Sequence, residues 1–363
     1  MTDEPRGDLP TLSDLEAVAS KKVLDHVWAY VQGGAGEERT LRANRSAFHR
    51  WTLRPRALVD VSAVDLHTSI LGAEVRAPIF ISPMAYHAQV HPEGEPGVAR
   101  AASEAGILAT YSTLSSFSIE EIARASGSGA RWFQLYLQPD FEVSRRLVER
   151  AERAGYSALM LTVDTPVLGV RDRQARGGFA IDSTVPIGNG SDVVPPSRSP
   201  LEQGRFYRLR SEAGSTWDVL EELQSITRLP WVVKGVLTPE DALEAARHGA
   251  KAIVVSNHGG RQLDGAPATL SVLPEVVEAV GSQVEVYLDG GVRRGSDILV
   301  ALALGAKAVG IGRPVLWALA VGGGDEVNRY LGLLKTELAT AMALVGRPTL
   351  AGVNSSLVSR IEA

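Results

Sequence analysis

Residues 231–256 read WVVKGVLTPEDALEAARHGAKAIVVS and contain one strand–helix–strand unit. Two β-branched apolar runs, Trp231–Lys234 and Ala252–Ser256, predict buried strands. Between them, Thr238-Pro239-Glu240-Asp241 offers an N-cap, a proline at the first helical position and acids in the first turn. Gly249 can end this helix, because glycine accepts the left-handed conformation found at helix C-termini. The unit is typical of a parallel α/β sheet.

The same alternation extends over most of the chain. Short apolar runs predict eight buried parallel strands, at Ile79–Ser82, Ile107–Tyr111, Arg131–Tyr136, Ala158–Val163, Trp231–Lys234, Ala252–Ser256, Val284–Leu288 and Ala308–Ile311. Six of the seven intervals between them suit one helix and two loops. Eight such units predict an α/β fold of the (β/α)8 TIM-barrel type. An open doubly wound sheet is the alternative, which is disfavoured because no dinucleotide-binding fingerprint follows the first strand.

Three segments lie outside these units. Residues 11–36 predict two short helices before the barrel, and Asp325–Val345 predicts a helix on its outside. The interval after the fourth strand is much longer than the others. Its 176–215 part is rich in Gly and Pro and lacks periodicity, so we expect a long loop there, of the kind that often forms a lid. We expect a single domain over residues 1–363, with the barrel at about 79–320.

The composition excludes several classes of protein. The 363 residues include 37 Lys and Arg against 42 Asp and Glu, and the formal net charge of −5 does not favour nucleic-acid binding. The hydrophobic fraction of 45% is that of a globular protein. The chain has no cysteine, so it has no disulfide or thiolate site. We find neither a signal peptide nor an apolar run long enough to span a membrane, and therefore expect a cytoplasmic protein.

Catalytic residues of TIM barrels follow the carboxyl ends of the strands. Polar or ionisable groups follow six of the predicted strands: Gln134 and Tyr136; Asp164 and Arg171; Lys234; Ser256, His258 and Arg261; Asp289 and Arg293; and Arg313. A single such residue is usually only an exposed loop residue, whereas polar residues after six strands of one barrel together indicate a functional site.

The segments that follow the last two strands predict a phosphate site. Asp289-Gly-Gly-Val-Arg293 and Gly312-Arg313 follow strands seven and eight, where barrels often bind phosphate through glycine-rich backbone and a nearby helix start. The two arginines would add charge-assisted hydrogen bonds. Two tight turns with solvated arginines are the alternative interpretation.

The segments that follow other strands carry groups suited to acid–base catalysis and to charge stabilisation. His258 is a candidate general base, because its ordinary pKa lies near neutrality, and Asp164 could orient the imidazole. Arg261 could bind a carboxylate. Lys234 could stabilise negative charge on a bound ring or enolate, or could form a structural ion pair. No metal site is expected, because His258, Asp164 and Asp289 share no recognised ligand spacing.

The motifs resemble those of the FMN-dependent α-hydroxy acid oxidase and dehydrogenase family, which includes glycolate oxidase, lactate oxidase and mandelate-oxidising enzymes. The resemblance runs from about Leu12 to Gly346. Its most specific parts are Ser256-Asn-His-Gly-Gly-Arg-Gln-Leu-Asp264, Asp289-Gly-Gly-Val-Arg-Arg-Gly295 and Gly312-Arg-Pro314. It implies FMN as cofactor, a small 2-hydroxy acid as substrate, O2 or another electron acceptor, and a homo-oligomer, commonly a tetramer.

The resemblance also implies catalytic roles. His258 would take the substrate hydroxyl proton during hydride transfer, or the C2 proton in a carbanion mechanism; the sequence does not choose between them. Asp164 would stabilise the imidazolium, and Tyr136 would face the reacting oxygen. Lys234 would lie beside flavin N1 and O2.

Further roles concern binding. Arg261, Arg171 and Tyr30 would lie around the substrate carboxylate. The positions expected to bind the cofactor, besides Lys234, are Ser82, Pro83, Met84, Ala85, Ser112, Gln134, Thr162, Ser256, Asp289, Gly290, Gly291, Arg293, Gly312 and Arg313.

Two features bear on the substrate. Leu114 stands where glycolate oxidase-like members carry tryptophan, which implies room for a larger substrate side chain. The stretches Pro83-Met-Ala-Tyr-His87 and His91-Pro-Glu-Gly-Glu95 are most similar to those of 4-hydroxymandelate oxidases. We therefore expect an aromatic L-2-hydroxy acid, such as (S)-mandelate or 4-hydroxymandelate.

Several alternatives stay open. The substrate could instead be lactate or glycolate, and the enzyme could be a quinone- or cytochrome-linked dehydrogenase. An oxidase that reduces O2 to H2O2 is favoured, because no cytochrome-like domain is fused to the barrel. An FMN-barrel isomerase would be expected to lack the pair His258 and Arg261, and a non-catalytic scaffold would be expected to lack site residues.

Overall fold

The computed structural model describes residues 11–179, 185, 187–191, 193 and 216–361. The strands are β1 (Trp51–Leu53), β2 (Thr68–Ile70), β3 (Ala73–Val75), β4 (Ile79–Ile81), β5 (Leu108–Ser112), β6 (Arg131–Leu135), β7 (Ala158–Thr162), β8 (Trp231–Val236), β9 (Ala252–Val255), β10 (Glu285–Leu288), β11 (Ala308–Ile311) and β12 (Val358–Arg360).

The α-helices alternate with the barrel strands and also flank them at both ends of the chain. They are α1 (Leu12–Lys22), α2 (Asp25–Gln32), α3 (Arg39–Ser46), α4 (Gly94–Ala105), α5 (Ile119–Ser126), α6 (Phe141–Arg153), α7 (Asp172–Arg176), α8 (Asp218–Gln224), α9 (Pro239–Arg247), α10 (Thr269–Val280), α11 (Gly295–Ala303) and α12 (Arg313–Leu344).

Strands β4 to β11 form a closed barrel in which every neighbouring pair is parallel. Each coincides, within one or two residues at its ends, with one of the eight predicted strands. The predicted TIM barrel is therefore confirmed, and the open doubly wound sheet is wrong.

The barrel strands have two apolar faces for most of their length. Because successive side chains of a strand point to opposite faces, alternate residues fall into two groups. One group packs inside the barrel and includes Phe80, Trp132, Met160 and Tyr287. The other packs against the surrounding helices. Towards the carboxyl ends of the strands the inward positions become polar, as at Ser112, Gln134, Thr162 and Lys234, and this polar layer forms the floor of the barrel mouth.

Two small two-stranded sheets lie outside the barrel. The antiparallel β2–β3 hairpin buries Ile70 and Val75 against the interior cluster, so it covers the amino-terminal end of the barrel. Strand β1 pairs antiparallel with β12, so residues from near both ends of the chain lie together. The sequence analysis predicted neither sheet.

The segments outside the barrel follow the predictions in part. Helices α1 and α2 confirm the two helices expected within residues 11–36. Helix α12 confirms the one expected at Asp325–Val345, but it begins earlier and bends at Gly322 and Gly323. Most of the predicted loop at 176–215 lies outside the described residues. In the described part of the chain, no helix is long and apolar enough to cross a membrane.

Candidate active site

A pocket opens at the carboxyl ends of the barrel strands and holds about 1500 Å³ of empty space, its open mouth included. Eighteen of the predicted site residues line it: Tyr30, Ser82, Pro83, Met84, Ala85, Ser112, Leu114, Tyr136, Arg171, Lys234, His258, Arg261, Asp289, Gly290, Gly291, Arg293, Gly312 and Arg313. The other four, Gln134, Thr162, Asp164 and Ser256, are hydrogen-bonded to lining residues or to one another. The barrel thus brings together residues that are far apart in sequence.

One side of the floor is a chain of neutral hydrogen bonds. The Ser112 hydroxyl donates to Gln134 Oε1 at 3.0 Å, and Gln134 Nε2 donates to Thr162 Oγ1 at 3.0 Å. All three side chains are buried. These bonds fix the orientation of the Gln134 amide and hold a polar, uncharged surface below the pocket.

The opposite side of the floor carries a buried charge pair. Lys234 Nζ donates to Ser256 Oγ at 3.0 Å and lies 3.6 Å from Asp289 Oδ2, and both charged side chains are less than 10% exposed. Ser82 Oγ donates to the same Asp289 oxygen at 3.2 Å. The other carboxylate oxygen, Asp289 Oδ1, is buried and has no hydrogen-bond partner among the described residues. Since buried polar atoms are normally satisfied, this oxygen indicates a ligand with a hydrogen-bond donor.

His258 and Asp164 form the acid–base centre of the pocket. His258 Nδ1 lies 2.8 Å from Asp164 Oδ1, and the other ring nitrogen, Nε2, lies 3.4 Å from the Tyr136 hydroxyl oxygen. A proton on Nδ1 donated to Asp164 leaves the lone pair of Nε2 towards Tyr136, which lines the pocket. The His258 backbone adopts a φ of 58°, and its amide donates to Ser256 Oγ.

The electrostatic environment keeps His258 neutral near neutral pH. Burial, together with the positive charges of Lys234 and Arg171, lowers the pKa of His258 below its usual value against the opposing effect of Asp164. Burial alone would raise the pKa of Asp164, but His258 and Lys234 lower this pKa to about 2. The pair therefore combines a permanent carboxylate with an imidazole ready to accept a proton.

Four arginines lie around the same pocket. Burial and the charges of the other arginines lower the pKa of Arg171 to about 9 and the pKa of Arg313 well below its usual value. Burial likewise lowers the pKa of Arg261, and it lowers the pKa of Arg293 to about 10. Among the described residues none of the four forms an ion pair with a carboxylate. Such a set of uncompensated cations favours anionic ligands.

Backbone carbonyls hold two of these guanidinium groups. Arg261 Nη1 donates to Tyr30 O and to Gly33 O, both at 2.7 Å, and its Cζ lies 4.8 Å from the centre of the Tyr30 ring. Arg313 donates to the carbonyls of Val31, Gly259 and Gly33. The α2 segment thereby fixes the direction of both side chains without neutralising them.

Some lining residues were not assigned from the sequence. They are Val31, Tyr86, Thr165, Leu168, Gln174, Phe179, Gly259, Val292, Gly310 and Leu316. Phe179 stacks on Tyr30, with ring centroids 4.2 Å apart. Tyr86 lies inside the quoted stretch Pro83–His87, which was the one available signal for it. Phe179 falls in the long Gly- and Pro-rich interval, where no pattern marks it.

These features define a barrel enzyme with a His–Asp pair, a buried lysine and an anion-binding pocket. The FMN-dependent dehydrogenase family profile matches residues 19–360. L-lactate oxidase of Nostoc sp. (strain PCC 7120 / SAG 25.82 / UTEX 2576) is 48% identical over 356 residues, covering 96% of this chain and 97% of that protein. 2-Hydroxyacid oxidase 2 of Mus musculus is 43% identical over 347 residues, with 96% and 97% covered.

Solved structures agree with these relatives. The crystal structure of mandelate oxidase with (S)-4-hydroxymandelic acid superposes with a TM-score of 0.88 at 42% identity, covering 95% of this chain and 97% of that chain. The chain belongs to the FMN-dependent dehydrogenase family, as an enzyme of the 2-hydroxy acid oxidase and dehydrogenase class. The expected resemblance and the expected FMN cofactor are confirmed.

The residues of the pocket fit FMN. Arg293 and Arg313 supply positive charge for a phosphate, and Asp289 Oδ1 is a buried acceptor without a partner in the described part of the chain. Gly291 has a φ of 86°, and a Cβ there would lie 2.2 Å from Asn44 O, so only glycine suits this turn. In the described residues no cluster of three or more His, Asp or Glu side chains could hold a metal ion.

Proposed function

We propose that this enzyme oxidises an aromatic L-2-hydroxy acid, such as (S)-mandelate or 4-hydroxymandelate, to the 2-oxo acid, with O2 as acceptor and H2O2 as product. The observation that carries the reaction type is the His258–Asp164 pair beside the pocket arginines, because it places a proton acceptor next to carboxylate-binding groups. The Lys234–Asp289 pair lines the same pocket, as do Arg293 and Arg313, the arginines proposed to bind phosphate.

FMN, held by Arg293, Arg313 and Asp289, would supply the two-electron acceptor for the hydride that leaves C2 of the substrate. Arg261 and Arg171 bind the substrate carboxylate, with the Tyr30 hydroxyl as a further donor. His258 Nε2 takes the hydroxyl proton, and Asp164 stabilises the resulting imidazolium. Lys234 is held below the pocket, where its charge can stabilise negative charge that develops on the bound ring.

The apolar lining of the pocket supports an aromatic substrate. Leu114, Tyr86, Met84 and Phe179 all line it, so apolar side chains are available to contact a substrate ring. The structural neighbour bound to (S)-4-hydroxymandelic acid supports the same assignment. The second candidate is a short-chain substrate, which is favoured by the L-lactate oxidase relative at 48% identity.

An anaerobic substrate panel tests the proposal. The FMN-loaded enzyme is mixed with (S)-mandelate, 4-hydroxymandelate, L-lactate or glycolate, and the loss of flavin absorbance is followed. We expect the aromatic acids to have the highest kcat/KM, and H2O2 to appear when O2 is admitted. Faster bleaching by lactate would select the short-chain candidate, and a reduced enzyme that O2 does not reoxidise would indicate a dehydrogenase.

The size of the pocket at Leu114 gives a mutational prediction. Leu114→Trp should lower the ratio of kcat/KM for mandelate over lactate by tenfold or more, because an indole would occupy space needed by the phenyl ring. Apolar mismatches of one methylene already cost roughly 1–3 kcal/mol. Leu114→Met, which nearly conserves side-chain volume, is the control and should keep the ratio. A ratio that stays the same or rises in Leu114→Trp would remove Leu114 from the substrate wall.

The lowered pKa of His258 predicts a pH dependence. A base must be unprotonated to act, so kcat/KM should be constant near neutral pH and fall as the pH drops through the His258 pKa, below about 6.5. Asp164 opposes the lowering of the His258 pKa. Asp164→Asn should therefore shift the fall in kcat/KM to still lower pH, while it also reduces the rate. The measurement is the rate of flavin reduction against pH. A fall in the wild-type rate that begins above pH 7 would contradict the assignment of His258 as the base.

A further inference from the structure

The segment between β5 and α5, residues 112–118, forms part of the pocket wall but belongs to no regular element beyond Ser112. It carries Ser112 and Leu114 to the pocket. The Leu114 carbonyl accepts a hydrogen bond from the Tyr86 amide at 3.1 Å, so this segment also fixes a second lining residue. A buried segment without a sheet or helix partner must find other partners for its backbone groups.

Asn189, from the long interval after β7, supplies several of those partners. Its side-chain oxygen accepts from the Ile119 amide at 3.0 Å. Its side-chain nitrogen donates to the carbonyls of Thr113 at 2.9 Å and Ser112 at 3.4 Å. Asn189 is only 2% exposed. One buried amide therefore binds the backbone on both sides of Leu114.

Asn189 is itself held firmly in place. Arg150 Nη1 donates to the Asn189 carbonyl at 2.7 Å, while the rest of this guanidinium binds both carboxylate oxygens of Glu120 at 2.9 and 2.8 Å. The Gly188 amide donates to Ser115 O at 3.0 Å. A Cβ at Gly188 would lie 2.0 Å from the Phe117 carbonyl carbon, so the close approach of the two backbones requires glycine.

A different residue holds the middle of the same segment. Glu95 is fully buried, and its Oε1 accepts from the Ser116 amide at 2.9 Å and from the His87 amide at 3.1 Å. Glu95 thus ties the middle of the segment to the β4–α4 connection. Gln134 also holds Thr113, since its backbone carbonyl accepts from the Thr113 amide at 2.9 Å and from the Thr113 hydroxyl at 2.7 Å. Asn189 differs from both in that it binds the backbone before and after Leu114.

We infer that Asn189 is a specificity-determining positioning residue, which holds the Leu114 wall at the distance that an aromatic substrate requires. This inference rests on the proposed function. Asn189 lies outside the pocket lining and acts through the backbone of Ser112 and Thr113. A wall that can move away loses more contact with a phenyl ring than with the methyl group of lactate, so the larger substrate is affected more.

Two variants of the FMN-loaded enzyme test the inference. Asn189→Ala removes all three hydrogen bonds, and Asn189→Asp keeps the acceptor for Ile119 but removes the donor to Thr113 and Ser112. Tyr156→Phe is the control, because the buried Tyr156 hydroxyl donates to Ile119 O at 3.1 Å, near the start of α5 but away from Leu114. Hydrogen exchange of peptides that cover residues 107–119 and the kcat/KM ratio for mandelate over lactate are measured in each.

We expect exchange in residues 112–118 to accelerate at least tenfold in both Asn189 variants but not in Tyr156→Phe. The mandelate-to-lactate ratio should fall about tenfold, with kcat for lactate changed less than threefold. Unchanged exchange in residues 112–118 would overturn the inference, as would an unchanged ratio or loss of FMN from both Asn189 variants when the control retains it. If no 2-hydroxy acid bleaches the wild-type flavin, the proposed function fails, whereas the exchange result still decides whether Asn189 holds the wall.

Discussion

The flavin of the His258→Gln enzyme should be reduced by mandelate about 10³-fold more slowly than that of the wild type. Glutamine fills similar space but cannot accept the hydroxyl proton, and positioned general bases typically contribute 10²–10⁴-fold. The structure adds to this expectation, because Asp164 binds Nδ1 and leaves Nε2 towards Tyr136 and the pocket. Anaerobic stopped-flow reduction measures the effect directly, since it separates the proton-dependent step from reaction with O2.

Two controls make the result for His258 specific. The variant should bind FMN normally, because no cofactor role is expected of this imidazole, and it should still bind a 2-oxo acid product through the arginines. A reduction rate within tenfold of the wild type, at saturating substrate, would show that another group takes the proton.

Arg261→Lys should lower kcat/KM for mandelate by about 30-fold or more, which corresponds to ~2 kcal/mol of lost hydrogen bonding to a charged group. In the wild type, Arg261 Nη1 is fixed by the carbonyls of Tyr30 and Gly33, so the remaining N–H groups are held ready for a carboxylate. An ammonium group has three donors and no planar fork, so it cannot bind both carbonyls and also hold the substrate carboxylate by two parallel bonds.

The effect of Arg261→Lys is measured as steady-state kcat/KM and as the Kd of a 2-oxo acid. Arg247→Lys is a suitable control, because Arg247 is exposed on α9 and pairs only with Glu244 in the described structure, and it should leave both quantities unchanged. Equal kcat/KM in Arg261→Lys and the wild type would mean that Arg261 does not bind the carboxylate.

The barrel strands could be located from sequence because strands buried on both faces are continuous apolar runs. The strands outside the barrel could not, since three-residue runs such as Thr68–Ile70 and Val358–Arg360 are too short to show a period and are defined only by their pairing partners. The earlier start of α12 was also missed, because Gly322–Gly324 is typical of a helix end. Gly322 and Gly323 do have non-helical backbone angles, so glycine interrupts α12 there, and the helical run from Arg313 to this kink is the part that the sequence did not show.

The residues of the candidate site also divide into those that the sequence could predict and those that it could not. Residues that directly follow a strand, such as His258 and Arg293, were identifiable because barrel geometry assigns strand ends a common location. Asn189 was not, because its contribution depends on contacts with residues 112–119, which are far from it in sequence. Tyr30 needed the family resemblance, since nothing in the composition of α2 predicts that it reaches the barrel mouth.

The four arginines of the pocket have a consequence for the folding equilibrium. Their like charges, gathered in the native chain and dispersed in the unfolded one, oppose folding until an anion is present. A cofactor with a phosphate removes that repulsion, so its binding free energy becomes part of the stability of the native state. The fraction of the enzyme that is folded then rises with the concentration of FMN.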